Sequence, residues 1–298
     1  MRLAGAVDIG GTNTKIGVVA EDGRILRRAT IPTNTRPQLL VEEIASTLRP
    51  LLDTMSDERS HVAAVGVSVA GFLDREHTRM YGNANLPSLC DFPLRRACED
   101  SLGRSCRLEV DSNAAALAEY RHGSGKDASR LLSIIVGTGV GGAVVVGGRL
   151  LRFTGECVGD VGHIVVDPNG RMCTCGARGC LEAMVCVAAL TERGKGQQPK
   201  EIISRARAGD AAAKNALAET GRLLGMGLAS LSPVFAPDMI VVGGGIGAAG
   251  DLLIEPAQRS YEASVANEFK GKCKIVGSHF EGWEGVVGAA SLAFAPVA

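Results

Sequence analysis

A chain of 298 residues is long for one ordinary domain and short for three, which predicts two domains or one large α/β unit with a substantial core. Its 32 basic and 32 acidic residues cancel, so bulk charge draws it neither to nucleic acid nor to anionic membrane. Glycine is in excess: 39 residues, about 13 % against roughly 7 % on average, clustered between apolar β-branched runs as turns rather than strung out as a linker.

The segment before Asp8 is too short and too weakly apolar for a secretory signal, which implies a cytoplasmic protein. Strands are expected over residues 3–8, 15–20 and 24–31. An amphipathic helix follows over 37–55, with Leu40, Ile44, Leu48, Leu51, Leu52 and Met55 at helical spacing, and Pro50 is expected to kink or end it. An apolar strand over 61–69, a short helix over 94–102 and a strand over 107–110 lead to Asp111. Asn113 is the expected N-cap of a helix over 114–121. A second cycle then opens, with strands over 131–136, 143–146 and 149–153. Residues 6–19 (AVDIGGTNTKIGVV) and 134–146 (IIVGTGVGGAVVV) share the pattern of strand, Gly-Thr turn and strand, so the chain reads as two related halves. The remainder is mostly helical, over 200–208, 211–231, 251–265 and 284–294, with strands over 239–242 and 274–276. The weakly charged run 223–250 is broken by Pro233, Pro237 and several glycines, and reads as a buried helix end and strand rather than a membrane span.

Successive residues without Cβ let backbone N–H groups curl around anionic oxygens. In DIGGTNTK the turn adds the Thr12 hydroxyl, the Lys15 cation and Asp8, a carboxylate able to hold Mg²⁺ through water. A plain hairpin explains either glycine turn alone; two similar turns, one per half, point to a nucleotide clamp. No GxxxxGK[ST] motif is present. The run Gly245 to Gly250 spells GxGxxG between a strand and a helix, yet too little chain follows it to complete a dinucleotide fold. The run Gly66 to Gly71 misses a GxSxG nucleophile elbow by one residue, which leaves Ser68 as an ordinary strand residue.

Nine cysteines without an export signal argue against a disulfide framework. Cys90, Cys98, Cys106, Cys157, Cys186 and Cys273 stand alone and read as inert core thiols. Cys173, Cys175 and Cys180 fall close together, with His163 ten residues upstream of the first. Three thiolates and an imidazole make a closed tetrahedral Zn²⁺ site of the structural kind; three unliganded thiols in a loop are the alternative.

Together these motifs resemble the ROK family of repressors, open reading frames and sugar kinases, in the actin-like ATPase superfamily. The resemblance rests on DIGGTNTK from Asp8, NANL from Asn83, DSNAAALAE from Asp111, GTGVGG from Gly137, GDVGHIVVDPNG from Gly159, CTCGARGCLE from Cys173 and VVGGGIG from Val241. It implies an α/β, two-lobed actin-like ATPase (ribonuclease H-like) fold with duplicated mixed sheets and a zinc-ordered loop. The smaller lobe would span 1–113, joined by the C-terminal helix over 284–298, and the larger lobe 114–283, with ATP and sugar meeting in the cleft.

By the same resemblance Asp111 is the general base that takes the proton from a sugar hydroxyl, most often that on C6, as it attacks the γ-phosphate of Mg-ATP. Gly71, Asn85, Asp111, Asp160, His163 and Glu182 would contact the sugar. Asp8, Gly10, Gly11, Thr12, Asn13, Lys15, Gly137, Thr138, Gly139, Gly244 and Gly245 would contact the nucleotide. His163, Cys173, Cys175 and Cys180 would hold zinc. The implied ligands are ATP, Mg²⁺, a structural Zn²⁺ and a small sugar, with no nucleic acid or membrane partner; relatives are often dimers or tetramers.

Glucokinases of the family usually carry Asn just before the catalytic Asp and Glu three residues before the zinc histidine, where this chain has Val110 and Asp160. Those changes admit a modified hexose, such as kanosamine (3-amino-glucose) or an N-acetylhexosamine, beside glucose. A sugar-responsive repressor would need a DNA-reading extension ahead of the first turn, which begins at residue 8. A catalytically inert sugar sensor is the alternative of a different class.

Overall fold

The computed structural model describes residues 1–55, 61–82, 86–152 and 160–294. Asn85, Cys157 and the end of the strand expected over 149–153 lie outside the described residues.

The chain divides into two compact units. One comprises Met1–His122 with Trp283–Ala298, the other Gly123–Phe153 with Val158–Gly282. The first division therefore falls after residue 122 rather than 113, because the helix that follows Asp111 packs against the C-terminal helix.

In the first unit, strands β1 (Arg2–Ile9), β2 (Asn13–Ala20) and β3 (Ile25–Pro32) are followed by helix α1 (Pro37–Asp53) and strand β4 (His61–Val69). A small hairpin of β5 (Phe72–Leu73) and β6 (Met80–Gly82), helix α2 (Leu94–Leu102), strand β7 (Cys106–Val110) and helix α3 (Asp111–His122) come next. The sheet order is β3-β2-β1-β4-β7, antiparallel through the first three strands and parallel from β1 through β4 to β7.

The second unit repeats the plan with β8 (Arg130–Val136), β9 (Val140–Val146) and β10 (Arg149–Leu150). Helices α4 (Leu181–Val185), α5 (Val187–Arg193), α6 (Pro199–Arg207) and α7 (Ala211–Phe235) precede strand β11 (Met239–Gly243). A single helical turn, α8 (Gly244–Gly247), then helix α9 (Asp251–Ser264) and strand β12 (Lys274–Gly277) complete it. Its sheet order, β10-β9-β8-β11-β12, has the same sequence of antiparallel and parallel neighbours. The final helix, α10 (Glu284–Phe294), belongs to the first unit.

Alternation along the strands decides what faces what. On β1, Leu3, Val7 and Ile9 enter the core shared with Leu40, Ile44, Leu48 and Leu52 of α1, while Ala4 and Ala6 face the cluster built on Val286, Ala289 and Ala290 of α10. Each large aliphatic side chain fully buried there contributes roughly 1.5–3 kcal/mol. Small residues on the other face let α10 lie close to the sheet. In the second unit, Leu132, Ile134, Val136, Ile240 and Val242 share a core with α7 and α9.

Pro50 does not end α1. The helix runs on to Asp53, and the Pro50 carbonyl accepts from Thr54 N–H. Asn113 is not an N-cap: α3 begins at Asp111, and the Asn113 side chain in its first turn donates to Glu109 Oε1 at 3.0 Å. Strand β9 begins at Val140, earlier than its apolar run predicts, so Gly141 and Gly142 are strand residues and the turn is confined to Gly137, Thr138 and Gly139.

Candidate active site

On the α10 face of the first sheet, four polar residues form one row across four neighbouring strands. Lys15 pairs with Asp8, Asp8 with Ser68, and Ser68 with Glu109. The even positions of β1 place Asp8 after Ala4 and Ala6, so its carboxyl emerges beneath the first turn of α10. A Cβ on Gly285 would lie 2.4 Å from Asp8 Cγ, and only glycine lets the helix approach so closely. Ser68, fully buried, donates its hydroxyl to Asp8 Oδ1 at 2.7 Å.

Burial pushes the Asp8 carboxyl up to about 6. The Ser68 hydrogen bond and the Lys15 charge oppose that rise, whereas the charges of Asp111 and Glu284 add to it. So much negative charge around one carboxylate favours a divalent cation held through Asp8, which matches hard-cation chemistry.

The Gly10–Asn13 turn is closed by Gly10 N–H donating to Asn13 O at 3.1 Å and is braced by the Thr33 hydroxyl on Gly10 O at 2.7 Å. Gly11, Thr12 and Asn13 are exposed at its tip, where N–H groups and the Thr12 hydroxyl can meet anionic oxygens. Lys15 Nζ stands 5.9 Å from the Trp283 ring centroid.

Asp111 sits where β7 gives way to α3. Its Oδ1 accepts from Ser112 N–H at 2.7 Å, and burial raises its affinity for a proton. Neighbouring Glu109, almost wholly buried, accepts from Val110 N–H and Asn113 Nδ2, each at 3.0 Å. Gly71, in the turn between β4 and β5, has φ +115°.

The second unit carries the other expected groups. Gly137 N–H donates to Gly139 O at 2.9 Å in the turn between β8 and β9. Gly244 has φ +83° at the start of α8, and Gly245 is exposed beside it.

His163, Cys173, Cys175 and Cys180 present ligand atoms all within 4.8 Å of one another. Cys173 Sγ lies 3.6 Å from His163 Nδ1, and Cys175 Sγ 3.6 Å from Cys180 Sγ. Tetrahedral Zn²⁺ with ordinary bond lengths separates such ligands by roughly 3.4–3.8 Å, whereas a disulfide would bring sulfurs to about 2.05 Å. Burial and the neighbouring thiols push Cys180 up to about 12, a cost to the thiolate that a bound cation would remove. The donor set therefore fits zinc. The loop folds back through Val166 N–H on Gly179 O at 2.9 Å and Gly179 N–H on Arg171 O at 2.7 Å. Gly179 has φ +75°, and a Cβ there would lie 1.5 Å from Asp167 O.

The imidazole of His163 is two-sided. Its Nδ1 meets the cluster and its Nε2 lies 3.3 Å from Asp160 Oδ2. Burial, with the Glu182 charge, raises the proton affinity of Asp160, and His163 opposes it. Glu182 Oε2 accepts from Val140 N–H at 2.9 Å.

Glu109, Glu284 and Gly285 are not among the residues the motifs single out, and Ser68, read from the sequence as an ordinary strand residue, instead holds Asp8. Ser68 and Glu109 had one visible sign, a polar residue inside an apolar strand; their alignment with Asp8 is a matter of strand register. Of the other cysteines, Cys98, Cys106, Cys186 and Cys273 are buried and Cys90 is partly exposed, and burial pushes Cys98 and Cys273 up to about 12.

A family model described as ROK family matches residues 4–295. The chain is 33 % identical over 319 aligned positions to a glucokinase of Streptomyces coelicolor, covering 99 % of both. It is 31 % identical over 294 positions to an N-acetylmannosamine kinase of Escherichia fergusonii, covering 97 % of each. Among solved structures, a ROK family glucokinase from Streptomyces griseus in complex with glucose and AMPPNP superposes with TM-score 0.86 at 31 % identity, covering 97 % of this chain and 98 % of that one. The duplicated mixed sheets are thus those of the actin-like ATPase fold.

Proposed function

The chain belongs to the ROK family, and from that premise and the site geometry we propose that it transfers the γ-phosphate of Mg-ATP to the C6 hydroxyl of glucose or a glucose-like hexose. The sugar-kinase activity itself is supported by the glucokinase and N-acetylmannosamine kinase relatives. The observation that carries the mechanism is Asp111: a half-buried carboxylate at a strand-to-helix corner, with one oxygen oriented by Ser112 N–H and its proton affinity raised by desolvation.

A carboxylate so placed is a better proton acceptor than an exposed aspartate. It takes the hydroxyl proton as the sugar oxygen bonds to the γ-phosphorus, and the bond from that phosphorus to the leaving ADP oxygen breaks. Positioning and charge neutralisation supply most of the rate in such transfers. The turns at Gly10–Asn13 and Gly137–Gly139 orient phosphates through backbone N–H groups, Gly244 and Gly245 border the nucleoside, and Asp160, His163 and Glu182 orient sugar hydroxyls. Asp8, aligned by Ser68, is the residue that would hold Mg²⁺, which when bound neutralises charge on the phosphate oxygens. Zinc on His163, Cys173, Cys175 and Cys180 would order the loop that carries His163 and Glu182.

Two departures admit a modified hexose beside glucose. Val110, beside Asp111, offers no side-chain hydrogen bond, and Asp160 is one methylene shorter than the glutamate usual at that position, its carboxylate lying 3.3 Å from His163 Nε2. Loss of one partner at a buried hydroxyl costs about 1–3 kcal/mol. A coupled ADP-release assay over hexoses, aminohexoses, N-acetylhexosamines and polyols tests the proposal. Turnover is expected with at least one sugar bearing a free C6 hydroxyl, and measurable sugar binding without turnover across the panel would replace the kinase with a sugar sensor.

A further inference from the structure

Three contacts from residues on either side of the metal ligands converge on the second glycine turn. Gly162, next to ligand His163, packs so near the start of β9 that a Cβ there would lie 2.2 Å from Val140 O. Glu182, two residues after ligand Cys180, accepts Val140 N–H through Oε2 at 2.9 Å. A Cβ on Gly139 would come within 2.5 Å of that same oxygen. Val187 N–H, at the start of α5, donates to Gly137 O at 2.9 Å. The other Glu182 oxygen, Oε1, lies 3.9 Å from the thiol sulfur of Cys173. Contacts fixing Gly137–Val140 thus spring from chain directly joined to the metal ligands.

The geometry points to Glu182 as a positioning residue that links the Cys/His cluster to the glycine turn, so that metal loading governs nucleotide affinity as well as the sugar loop. With the cluster loaded, the chain from Cys180 into α4 is anchored and Glu182 stays under Val140. With the metal removed that anchor is lost, and Val140 N–H, on a residue only 3 % exposed, loses a charged acceptor. A hydrogen bond to a charged group is worth enough to change an equilibrium roughly tenfold or more. The nucleotide part of the inference rests on the reading of Gly137–Gly139 as a phosphate turn; the mechanical link does not.

Two measurements on the full chain test it. In the first, amide hydrogen exchange across residues 136–141 is followed by mass spectrometry for the zinc-loaded and chelated wild type, Glu182→Ala and Glu182→Gln. Exchange about tenfold faster is expected for zinc-loaded Glu182→Ala and for chelated wild type. Glu182→Gln, which keeps only a neutral acceptor, recovers part of the protection and leaves exchange about threefold faster than in wild type, and chelation of Glu182→Ala adds little. In the second, AMPPNP binding without sugar is measured by calorimetry and should weaken about tenfold in the same pattern.

Unchanged exchange and affinity in Glu182→Ala overturn the inference. So does chelation that acts equally on wild type and Glu182→Ala. Should Glu182→Ala fail to fold, Glu182→Gln carries the comparison, with an expected effect of about threefold; no effect there overturns the link. If the wild type binds no AMPPNP while the exchange pattern holds, the link stands and the nucleotide reading of the turn falls.

Discussion

Asp111 and Asp8 are both half-buried carboxylates with raised proton affinity, but their proposed tasks differ and so do the expected effects of replacing them. Asp111→Asn keeps the size and the acceptor for Ser112 N–H but cannot take a proton. It should lower kcat by about 10²–10⁴-fold with sugar and AMPPNP binding retained, measured by steady-state kinetics beside calorimetry; retained turnover would remove Asp111 from the base role. For Asp8 the linkage runs toward instability at higher pH. Its folded value of about 6 lies above the ordinary aspartate value of 3.8, so between those pH values the folded state binds more protons than the unfolded state and stability falls as pH rises. Asp8→Asn should therefore stabilise the metal-free protein by about 1–3 kcal/mol above pH 6, and by little near pH 4. Thermal melts at both pH values check this; a gain independent of pH would contradict it. Asp8 was legible beside the DIGGTNTK turn, and Asp111 through the family resemblance carried by DSNAAALAE. Ser68 was passed over, because its tie to Asp8 joins residues 60 positions apart in sequence.

Helix α10 is the element that closes the back of the Asp8 site, and its approach depends on small residues. Gly285→Ala would put a Cβ 2.4 Å from Asp8 Cγ, so either the helix or the carboxylate must move. A loss of about 1–3 kcal/mol in stability is expected, with a kcat loss disproportionate to it, checked by denaturant melts and kinetics on the folded variant. Wild-type activity in the Gly285→Ala variant would show that Asp8 tolerates displacement. The helix itself was legible from residue 284 to 294, and its glycine at 285 was not distinguishable from other glycines until Asp8 lay beneath it. Local signals misled in two places. Pro50 lies in the last turn of α1, where the helix still runs on to Asp53 and closes through Thr54 N–H. Asn113 has capping chemistry, but buried Glu109 competes for its side chain.

Each of the two units has its own apolar core, with Leu48 and Val67 in one and Leu224 and Val242 in the other. The metal cluster belongs wholly to the second. About one equivalent of zinc per chain is expected on metal analysis. Chelation should raise amide exchange within residues 160–193 while leaving the β1–β2–β4 core of the first unit protected. Loss of protection in both units at once would mean that the cluster supports the whole molecule. Among the described residues no helix is long and apolar enough to cross a membrane, in keeping with the broken apolar run at 223–250.

By itself the amino-acid sequence indicated most of the strands and longer helices, the duplication of strand, glycine turn and strand, and the four candidate metal ligands, while the aspartate proposed as the base came from the family resemblance. The elements, the duplication and the metal ligands depend on spacing along the chain: period two, period 3.6, Gly-Thr turns and a dense cysteine motif. Only the tertiary structure decided that Lys15, Asp8, Ser68 and Glu109 form one row, that Gly285 rests on Asp8, and that Glu182 braces Val140. Those are contacts set by strand register and helix docking, and many local patterns are compatible with each of them until the chain is folded.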